Sequence, residues 1–304
     1  MIHVAIAIHD PRGEYACHAG AMLASLFSHT PAPVSAYVLH DSTLTVNNKA
    51  NLRSIAQRFG KELRFHQVVL PPEVHALGGH VTQGALYRLL LPDLIPLDKI
   101  VYFDCDIIFG LDIERLWQID LQGKPVAAAL DPGMPHFPEP IRQRVRETGV
   151  ALETYFNSGV LVMDLALLRK EYQLYRQAID FLQRFQDTVF HDQDALNSIF
   201  GSHYLPLDRC FNLIVSRALP AELAQPAIRH YAGVKPWDYY SSSQDVHYWK
   251  ALELTPWQGQ VVDRMAQAVS RTWVKVNETL DQERKAYAAL AAKMATLTGE
   301  TVVR

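Results

Sequence analysis

One stretch of the chain, residues 99–109, constrains the fold more than any other. It reads KIVYFDCDIIF, so that apolar residues flank Asp104, Cys105 and Asp106 on both sides. A continuous run of Val, Ile and aromatic residues is typical of a strand that is buried on both faces. Burying an ionised carboxylate without a partner costs several kcal/mol. The stretch therefore predicts a buried strand whose two carboxylates share a partner.

Asp104 and Asp106 are two positions apart, and side chains at such positions of a strand point the same way. Two converging carboxylates suit a divalent cation. The alternative is a strand end at which one aspartate caps the next turn and the other faces solvent, since the tripeptide alone is common. The apolar residues on both sides favour the metal site. Cys105 would lie on the opposite face, and we do not expect it to bind the metal.

Strand patterns and helix patterns alternate along the rest of the chain. The apolar strand segments are 2–8, 34–39 and 63–69, with helical patterns at 15–29 and 43–59 between them. This alternation predicts an α/β fold with a mostly parallel central sheet and helices on both faces. From Gln244 onward the composition shifts to helix formers. We therefore expect one domain over residues 1–240 and a C-terminal helical extension over 241–304.

Composition excludes several classes of protein. The 304 residues carry a formal net charge of −3, which gives no reason to expect nucleic acid as a partner. Cys17, Cys105 and Cys210 are odd in number and well separated, which favours reduced thiols and a cytoplasmic location. The N-terminus has the pattern of a first strand rather than a signal peptide. No apolar stretch approaches the ~20 residues that a membrane span needs.

Ligands of parallel α/β sheets bind beyond the carboxyl ends of the strands, where His9 and Asp10 follow the first strand. No G-x-G-x-x-G motif follows that strand, which argues against a nicotinamide dinucleotide. Residues 71–84, rich in Pro, Gly and His, form either a functional lid or an ordinary surface loop. Arg88 lies in an otherwise apolar helical pattern. It either faces solvent or reaches a carboxylate or phosphate in the cleft.

Two later polar motifs also leave alternatives open. Asp192, Gln193 and Asp194 begin a helical pattern, where helix capping explains one aspartate but not the glutamine between them. His230 is either a metal ligand or a structural histidine. After it, Gly233 would allow close backbone approach to a ligand and Lys235 offers a point charge for a phosphate.

Four blocks together carry a resemblance to a known family. They are YRLLLPDLIPLDKIVYFDCDIIF at 87–109, YFNSGVLVMDL at 155–165, HDQDALN at 191–197 and HYAGVKPW at 230–237. Over residues 2–240 the chain resembles the retaining glycosyltransferases of family 8. This group of GT-A fold includes bacterial lipopolysaccharide galactosyl- and glucosyltransferases, galactinol synthase and glycogenin. The chain after about residue 245 resembles no part of that family.

The resemblance implies a UDP-sugar donor and a manganese ion, with magnesium as the alternative. The implied metal ligands are Asp104, Asp106 and His230. The implied donor-binding residues are Ala7, His9, Asp10, Arg88, Asp104, Cys105, Asn157, Ser158, Gly233 and Lys235. The implied catalytic residues are Gln193, Asp192 and Lys235. The chain departs from the common pattern of this family at two places. The turn at 9–14 is longer than usual, and the segment from Gly233 to Lys235 is one residue shorter than in the common form.

The implied reaction moves a hexose, glucose or galactose, to a saccharide, lipid-linked or protein acceptor during bacterial cell-surface polysaccharide synthesis. Because the amide of Gln193 is a poor nucleophile, we favour front-face attack in which the leaving phosphate takes the acceptor's proton. Residues 134–150 and the tail would contact the acceptor. The tail could also mediate a peripheral contact with the inner face of the membrane or homo-oligomerisation. Alternatives are a nucleotide-sugar hydrolase and a catalytically silent sugar-nucleotide binding module; the metal set and Lys235 argue against the silent form.

Overall fold

The structure, a computed structural model, describes residues 1–71 and 83–298. The segment 71–84, for which we weighed a lid, therefore lies almost wholly outside the described residues. The described strands are β1 (Ile2–Ile8), β2 (Val34–His40), β3 (Glu62–Gln67), β4 (Lys99–Phe103), β5 (Ile107–Phe109), β6 (Val126–Ala128), β7 (Val160–Asp164), β8 (Leu205–Pro206), β9 (Leu213–Ile214) and β10 (Ile228–His230).

The helices surround these strands and occupy most of the C-terminal quarter. They are α1 (Tyr15–His29), α2 (Val46–Arg58), α3 (Gln83–Tyr87), α4 (Leu91–Leu94), α5 (Glu114–Trp117), α6 (Glu139–Glu147), α7 (Leu165–Glu171), α8 (Leu174–Arg184), α9 (Asp192–Phe200), α10 (Pro220–Leu223), α11 (Asp245–Glu253) and α12 (Val261–Thr298).

The larger sheet has seven strands in the order β3-β2-β1-β4-β7-β6-β8. Strands β3, β2, β1 and β4 run parallel to one another, β7 is antiparallel to both β4 and β6, and β8 is parallel to β6. The prediction of a mostly parallel central sheet is confirmed. The carboxyl ends of β1 and β4 meet at one edge, where parallel α/β sheets bind ligands.

Apolar residues cover both faces of this sheet, as the α/β prediction requires. On one face Val4 and Ile6 of β1 pack in a cluster with Met22 and other residues of α1. On the other face Ala5 of β1 packs in a second cluster with Leu86 of α3. Successive residues of a strand point to opposite faces, so the uninterrupted apolar run of β1 supplies both clusters.

The prediction of one continuous strand over residues 99–109 is wrong. The chain leaves the larger sheet after β4, turns through residues 104–106, and enters a smaller sheet of order β5-β10-β9. Asp104 N still donates to Gly159 O at 2.9 Å, and Tyr231 N donates to Asp106 O at 2.9 Å. The turn takes the two carboxylates out of the sheet and to polar partners, which are Arg88 for Asp104 and Lys235 and His230 for Asp106.

The C-terminal segment packs against the first helix. The Tyr248 hydroxyl of α11 lies 2.7 Å from Nδ1 of His18 on α1, and the His18 ring stacks on Trp237 with ring centroids 3.7 Å apart. Arg271 of α12 donates to the carbonyls of Trp237 and Asp238 at 2.6 and 2.8 Å. The C-terminal helix is as expected, while the domain boundary at 240/241 remains a prediction. Among the described residues, no helix is long and apolar enough to span a membrane.

A glycine-to-alanine substitution tests the contact between α1 and the C-terminal segment. A Cβ at Gly20 would lie 2.7 Å from Cζ3 of Trp257, so we expect Gly20→Ala to lower the free energy of unfolding by about 1–3 kcal/mol. In a Trp257→Leu background the clashing ring is gone, so the loss of stability should shrink. The higher helix propensity of alanine, about 1 kcal/mol over glycine, then offsets what remains of it. Urea denaturation of the four proteins measures both values. An equal cost in the two backgrounds would contradict this packing.

Candidate active site

A cavity of about 550 Å³ opens at the carboxyl ends of β1 and β4. The residues that line it and that the sequence pointed to are Ala7, His9, Asp10, Arg88, Asp104, Cys105 and Asp106. Tyr15 and His18 of α1, Tyr102 of β4 and Trp237 complete much of the wall. We refer to this cavity as the cleft. Of the other predicted residues, Ser158 and Asp192 contact Arg88, and His230 and Lys235 contact Asp106.

Asp104, Asp106 and His230 form a cluster that could hold a metal ion. One ligand atom from each of the three lies within 4.8 Å of the others, although the two aspartates are more than 120 positions from the histidine. The turn at 104–106 supplies the carboxylates and β10 supplies the imidazole, whose Nε2 lies 3.3 Å from Asp106 Oδ1. Carboxylate oxygens with one imidazole nitrogen suit manganese or magnesium. The residues present therefore fit the ion that the resemblance implies.

Lys235 pairs with the buried Asp106. Burial disfavours the Asp106 carboxylate, but the charges of Lys235 and His230 outweigh that effect and hold its pKa well below the usual range. The same ammonium donates to Tyr231 O at 3.0 Å. Between them Gly233 has a φ of +90°, a conformation that glycine adopts without strain. The loop after β10 thus brings a positive charge to the carboxylate of the cluster.

A chain of amides orients the histidine of the cluster. His230 Nδ1 donates a hydrogen bond to Asn212 Oδ1 at 2.9 Å, because that oxygen can only accept, and Nε2 is left facing Asp106 Oδ1. Asn212 Nδ2 in turn donates to Asn157 Oδ1 at 2.9 Å. Such partners fix the tautomer and orientation of metal-binding histidines. Sequence reasoning missed Asn212, which lies before a two-residue strand and in no motif.

Gly159 leaves room for the imidazole. A Cβ at this position would lie 2.4 Å from Cε1 of His230 and 3.0 Å from Asp104 Oδ2. The absence of a side chain at residue 159 therefore allows the histidine to approach the carboxylates.

Arg88 is buried and pairs with acidic groups of the site. Its Nη2 lies 2.7 Å from Asp104 Oδ1, its Nη1 donates to Ser158 O at 2.7 Å, and its Nε lies 3.3 Å from Asp192 Oδ2. The Tyr102 hydroxyl donates to the same Asp104 oxygen at 2.9 Å. Of the two alternatives for Arg88, the structure favours the contact with a carboxylate.

Asp192 has an unsatisfied oxygen. Its Oδ2 is buried and accepts no hydrogen bond from a described residue, although the Arg88 guanidinium is near. Burial raises the pKa of Asp192 to about 6, more than offsetting the effect of Arg88, which favours the ionised form. Buried polar atoms are normally hydrogen-bonded, so this oxygen is available to a hydroxyl group of a ligand.

Gln193 is held by three neighbours. Its Nε2 lies 3.2 Å from both Asp131 Oδ2 and the Tyr155 hydroxyl, and its Oε1 accepts from Ser158 N at 3.0 Å. Asn157 Nδ2 also donates to Asp131 Oδ2, at 3.2 Å. Sequence reasoning missed Asp131, although it follows β6 closely. Polar residues after strand ends are the signal that had picked out His9 and Asp10.

Asp194 and Asp10 have local structural partners. Asp194 accepts from Phe190 N at 2.9 Å and from the Tyr155 hydroxyl at 2.5 Å, so it holds the segment before α9. Asp10 accepts from Tyr15 N at 2.7 Å and from the Asn48 side chain at 3.0 Å, at the start of α1. Asp10 also lies on the cleft wall, a position that allows it to contact a ligand as well as to cap α1.

The remaining cleft residues join β1 to its neighbours. His9 Nδ1 lies 2.6 Å from Asp41 Oδ2, which links the ends of β1 and β2. The Cys105 thiol donates to Ala7 O at 3.4 Å, and burial raises the pKa of that thiol. Cys105 therefore contacts the end of β1. Donor binding by these residues remains a prediction.

Comparison with protein families gives one family over most of the chain. A family model described as "Glycosyl transferase family 8" matches residues 5–241. General stress protein A of Bacillus subtilis (strain 168) is 30% identical over 263 residues, which are 78% of this chain and 88% of that protein. Lipopolysaccharide 1,2-glucosyltransferase of Escherichia coli (strain K12) is 29% identical over 199 residues. That match covers 58% of this chain and 56% of that protein.

Comparison with solved structures agrees on the fold. The crystal structure of the galactosyltransferase LgtC in complex with donor and acceptor sugar analogues superposes with a TM-score of 0.71. At 22% identity, the superposition covers 86% of this chain and 100% of that chain. Such a likeness shows a shared fold.

Substitution of Gly159 tests the metal cluster. A methyl group there would push the His230 ring away from the carboxylates, so we expect Gly159→Ala to weaken manganese binding by about 10–100-fold. Isothermal titration with manganese measures this. Gly259→Ala is the matched control, because a Cβ at that position meets no atom within 4 Å. Unchanged affinity in Gly159→Ala would contradict the cluster as the binding site.

The raised pKa of Asp192 predicts a pH-dependent stability. Between its ordinary value of 3.8 and about 6, the folded protein holds more protons at this group than the unfolded chain. The contribution of Asp192 to the free energy of unfolding therefore falls as pH rises through that window. Relative to wild type, metal-free Asp192→Asn should gain about 1–3 kcal/mol between about pH 4 and pH 7.5. Urea denaturation measures it, with the exposed Asp180→Asn as control; equal pH profiles for Asp192→Asn and wild type would refute the shift.

Proposed function

The chain belongs to glycosyl transferase family 8, and from this membership and its cleft we propose that it transfers a hexose from a UDP-sugar to a hydroxyl group of an acceptor. Glucose or galactose is the proposed sugar, and the anomeric configuration is retained. The names of the glucosyltransferase relative and of the galactosyltransferase with the same fold support a hexose. The chain spans just over half of the former, so activity and substrates are proposals.

The observation that supports this function most directly is the cluster of Asp104, Asp106 and His230 with Lys235 beside it. Cleaving a sugar–diphosphate bond leaves negative charge on the diphosphate. Manganese is the proposed ion, with magnesium as the alternative; when bound, it supplies Lewis-acid stabilisation of that charge. The three side chains would hold it, and the hydrogen bond that His230 Nδ1 donates to Asn212 Oδ1 keeps Nε2 on the side of Asp106.

Lys235 would exchange one anionic partner for another. In the structure its ammonium compensates the charge of Asp106. When the carboxylate has another cation to balance it, the lysine is free to pair with the leaving phosphate. A positive charge placed where negative charge develops stabilises the transition state. Gly233, whose backbone is in the left-handed region, would let the loop approach the diphosphate.

The donor sugar would lie over the buried polar groups between Arg88 and Gln193. The unsatisfied Oδ2 of Asp192 would accept a hydrogen bond from a sugar hydroxyl. Asn157 and Ser158 lie next to this position and contact Gln193 or its partner Asp131. The nucleoside would lie at the carboxyl ends of β1 and β4. There it would contact Ala7, His9, Asp10 and Cys105.

Gln193 determines the type of displacement that we propose. Its amide is held by Asp131, Tyr155 and Ser158, and an amide oxygen is a poor nucleophile. A double displacement through a covalent sugar–enzyme bond is therefore disfavoured. The acceptor hydroxyl would attack on the face from which the diphosphate departs, and a leaving phosphate oxygen would take its proton. Gln193 would then position and stabilise the sugar rather than bond to it.

The acceptor is a saccharide, a lipid-linked sugar or a protein, and we propose that residues 134–150 contact it. We place the reaction in the cytoplasm, with the C-terminal helix available for a peripheral membrane contact or self-association. Hydrolysis of the nucleotide sugar is the competing activity. Product analysis with and without a candidate acceptor distinguishes the two.

Substitution of the metal ligands tests the proposal. Asp106→Asn and His230→Ala should each lower manganese-dependent kcat/KM by at least about 10³-fold, because the leaving charge is no longer compensated. The assay measures UDP release and glycoside formation from UDP-glucose and UDP-galactose. Circular dichroism checks that each variant is folded.

Asp98→Asn is the matched control, since its side chain is 94% exposed. A manganese-dependent thermal shift with UDP measures donor binding separately from turnover, since ligands of the folded state raise its stability. Full transfer activity in the presence of EDTA would refute the metal-assisted mechanism. The absence of a shift with every UDP compound would refute the donor.

A further inference from the structure

A second cavity of about 400 Å³ lies away from the cleft, between α1, β5 and α11. The two cavities share none of their lining residues. The residues that line the second one are Ser25, Ser28, His29, Ile108, Phe109, Gly110, Ala224, Gln225, Pro226, Arg229, His247, Lys250, Ala251 and Leu254. We call it the basic cavity.

Its charged groups are all of one kind. His29, Arg229, His247 and Lys250 are the titratable residues among the described lining, and none of that lining is acidic. The chain as a whole carries a net charge of −3, so this concentration of basic groups runs against the average of the molecule. Basic groups gathered around a concave surface create a positive potential that attracts anions.

Arg229 is buried without a carboxylate partner. The residue is 6% exposed, and its donors reach the carbonyls of Leu223 at 2.9 Å and Gln225 at 3.3 Å and the side chain of Gln244 at 3.1 Å. Its Nη1 has only a 3.5 Å contact with a carbonyl. Buried charges are normally paired, and this guanidinium has neutral acceptors alone among the described residues.

His247 and Lys250 lie one turn apart on α11 and add two further donors. Neither side chain makes a hydrogen bond or an ion pair with a described residue. Burial lowers the pKa of His247, and the charges of Arg229, Lys250 and His29 lower it further. These three groups therefore act on the His247 ring and disfavour its charged form. An anion bound between them would favour that charged form again.

The basic cavity lies behind the metal cluster. Arg229 and His230 are adjacent in β10, so their side chains point to opposite faces of the smaller sheet. In the same sheet Arg229 pairs with Ile108, which lines the cavity, and His230 pairs with Ile107, which follows Asp106. A ligand in this cavity therefore cannot be the donor in the cleft.

We propose that the basic cavity binds a phosphate group. A guanidinium, an ammonium and an imidazole are the donors that recognise a phosphate monoester, and Arg229, Lys250 and His247 supply one of each. The phosphate belongs to a soluble phosphorylated metabolite or to a lipid headgroup. The inference does not rest on the proposed transfer reaction, because it uses other residues and another face of the sheet.

Titration of inorganic phosphate into the full-length protein tests the site. The histidine rings carry ¹³C, EDTA keeps the metal cluster free, and chloride of equal ionic strength is the reference. We expect the ring signals of His247 and His29 to shift saturably. Lys250→Gln should weaken the apparent affinity for phosphate about tenfold, which corresponds to the loss of one charge-assisted hydrogen bond. Arg229 is not substituted, because it also holds the carbonyls of residues 223 and 225.

Lys170→Gln, at an exposed lysine of α7, is the charge-matched control and should bind phosphate as wild type does. A shift confined to His9 or His18, which line the cleft, would overturn the proposal, as would a His247 shift that Lys250→Gln leaves unchanged. Glucose 6-phosphate and vesicles containing phosphatidic acid then distinguish the two sources. Lys250-dependent binding of either supports the site, and Lys250-dependent binding of neither overturns it.

Discussion

The candidate site depends on the ion pairs of Arg88. This buried guanidinium contacts Asp104 and approaches Asp192, and it donates to the carbonyl of Ser158. It therefore joins the segment between α3 and α4, the turn at 104–106, the start of β7 and the start of α9. Uncompensated carboxylates in that position would be costly, whereas paired ones can be held in fixed places. In the same way, the ammonium of Lys235 balances the buried negative charge of Asp106 on the other side of the cluster.

Much of the fold and the centre of the site could be predicted from the sequence. Apolar strands that alternate with helical segments indicate a parallel sheet covered on both faces. In β1 the side chains belong to two apolar clusters, one on each face of the sheet. Carboxylates inside a long apolar run need a partner, which led to Asp104 and Asp106. The place of His230 beside them came from a family resemblance, because spacing along the chain carries no information about a contact between residues so far apart.

Other features could not be read from local patterns because tertiary contacts create them. The apolar run of residues 99–109 has the composition of one strand, yet its halves belong to two sheets, and the carboxylates between them pair with side chains from distant parts of the chain. Asn212 and Asp131 act through side chains that are distant in sequence, His230 in one case and Asn157 and Gln193 in the other. A single asparagine or aspartate in a loop gives no signal of such a partner.

The division of the metal ligands between the two sheets has a consequence for cooperativity. Asp104 follows β4 of the larger sheet, whereas Asp106 precedes β5 and His230 ends β10 of the smaller sheet. An ion held by all three would add a further link between the two sheets, which the turn at 104–106 and the hydrogen bond from Asn212 to Asn157 already join. Its binding free energy would then oppose their separate opening, so that both sheets would exchange amide hydrogens as one unit when the ion is present. In this protein the same three side chains would thus serve the chemistry and the rigidity of the fold.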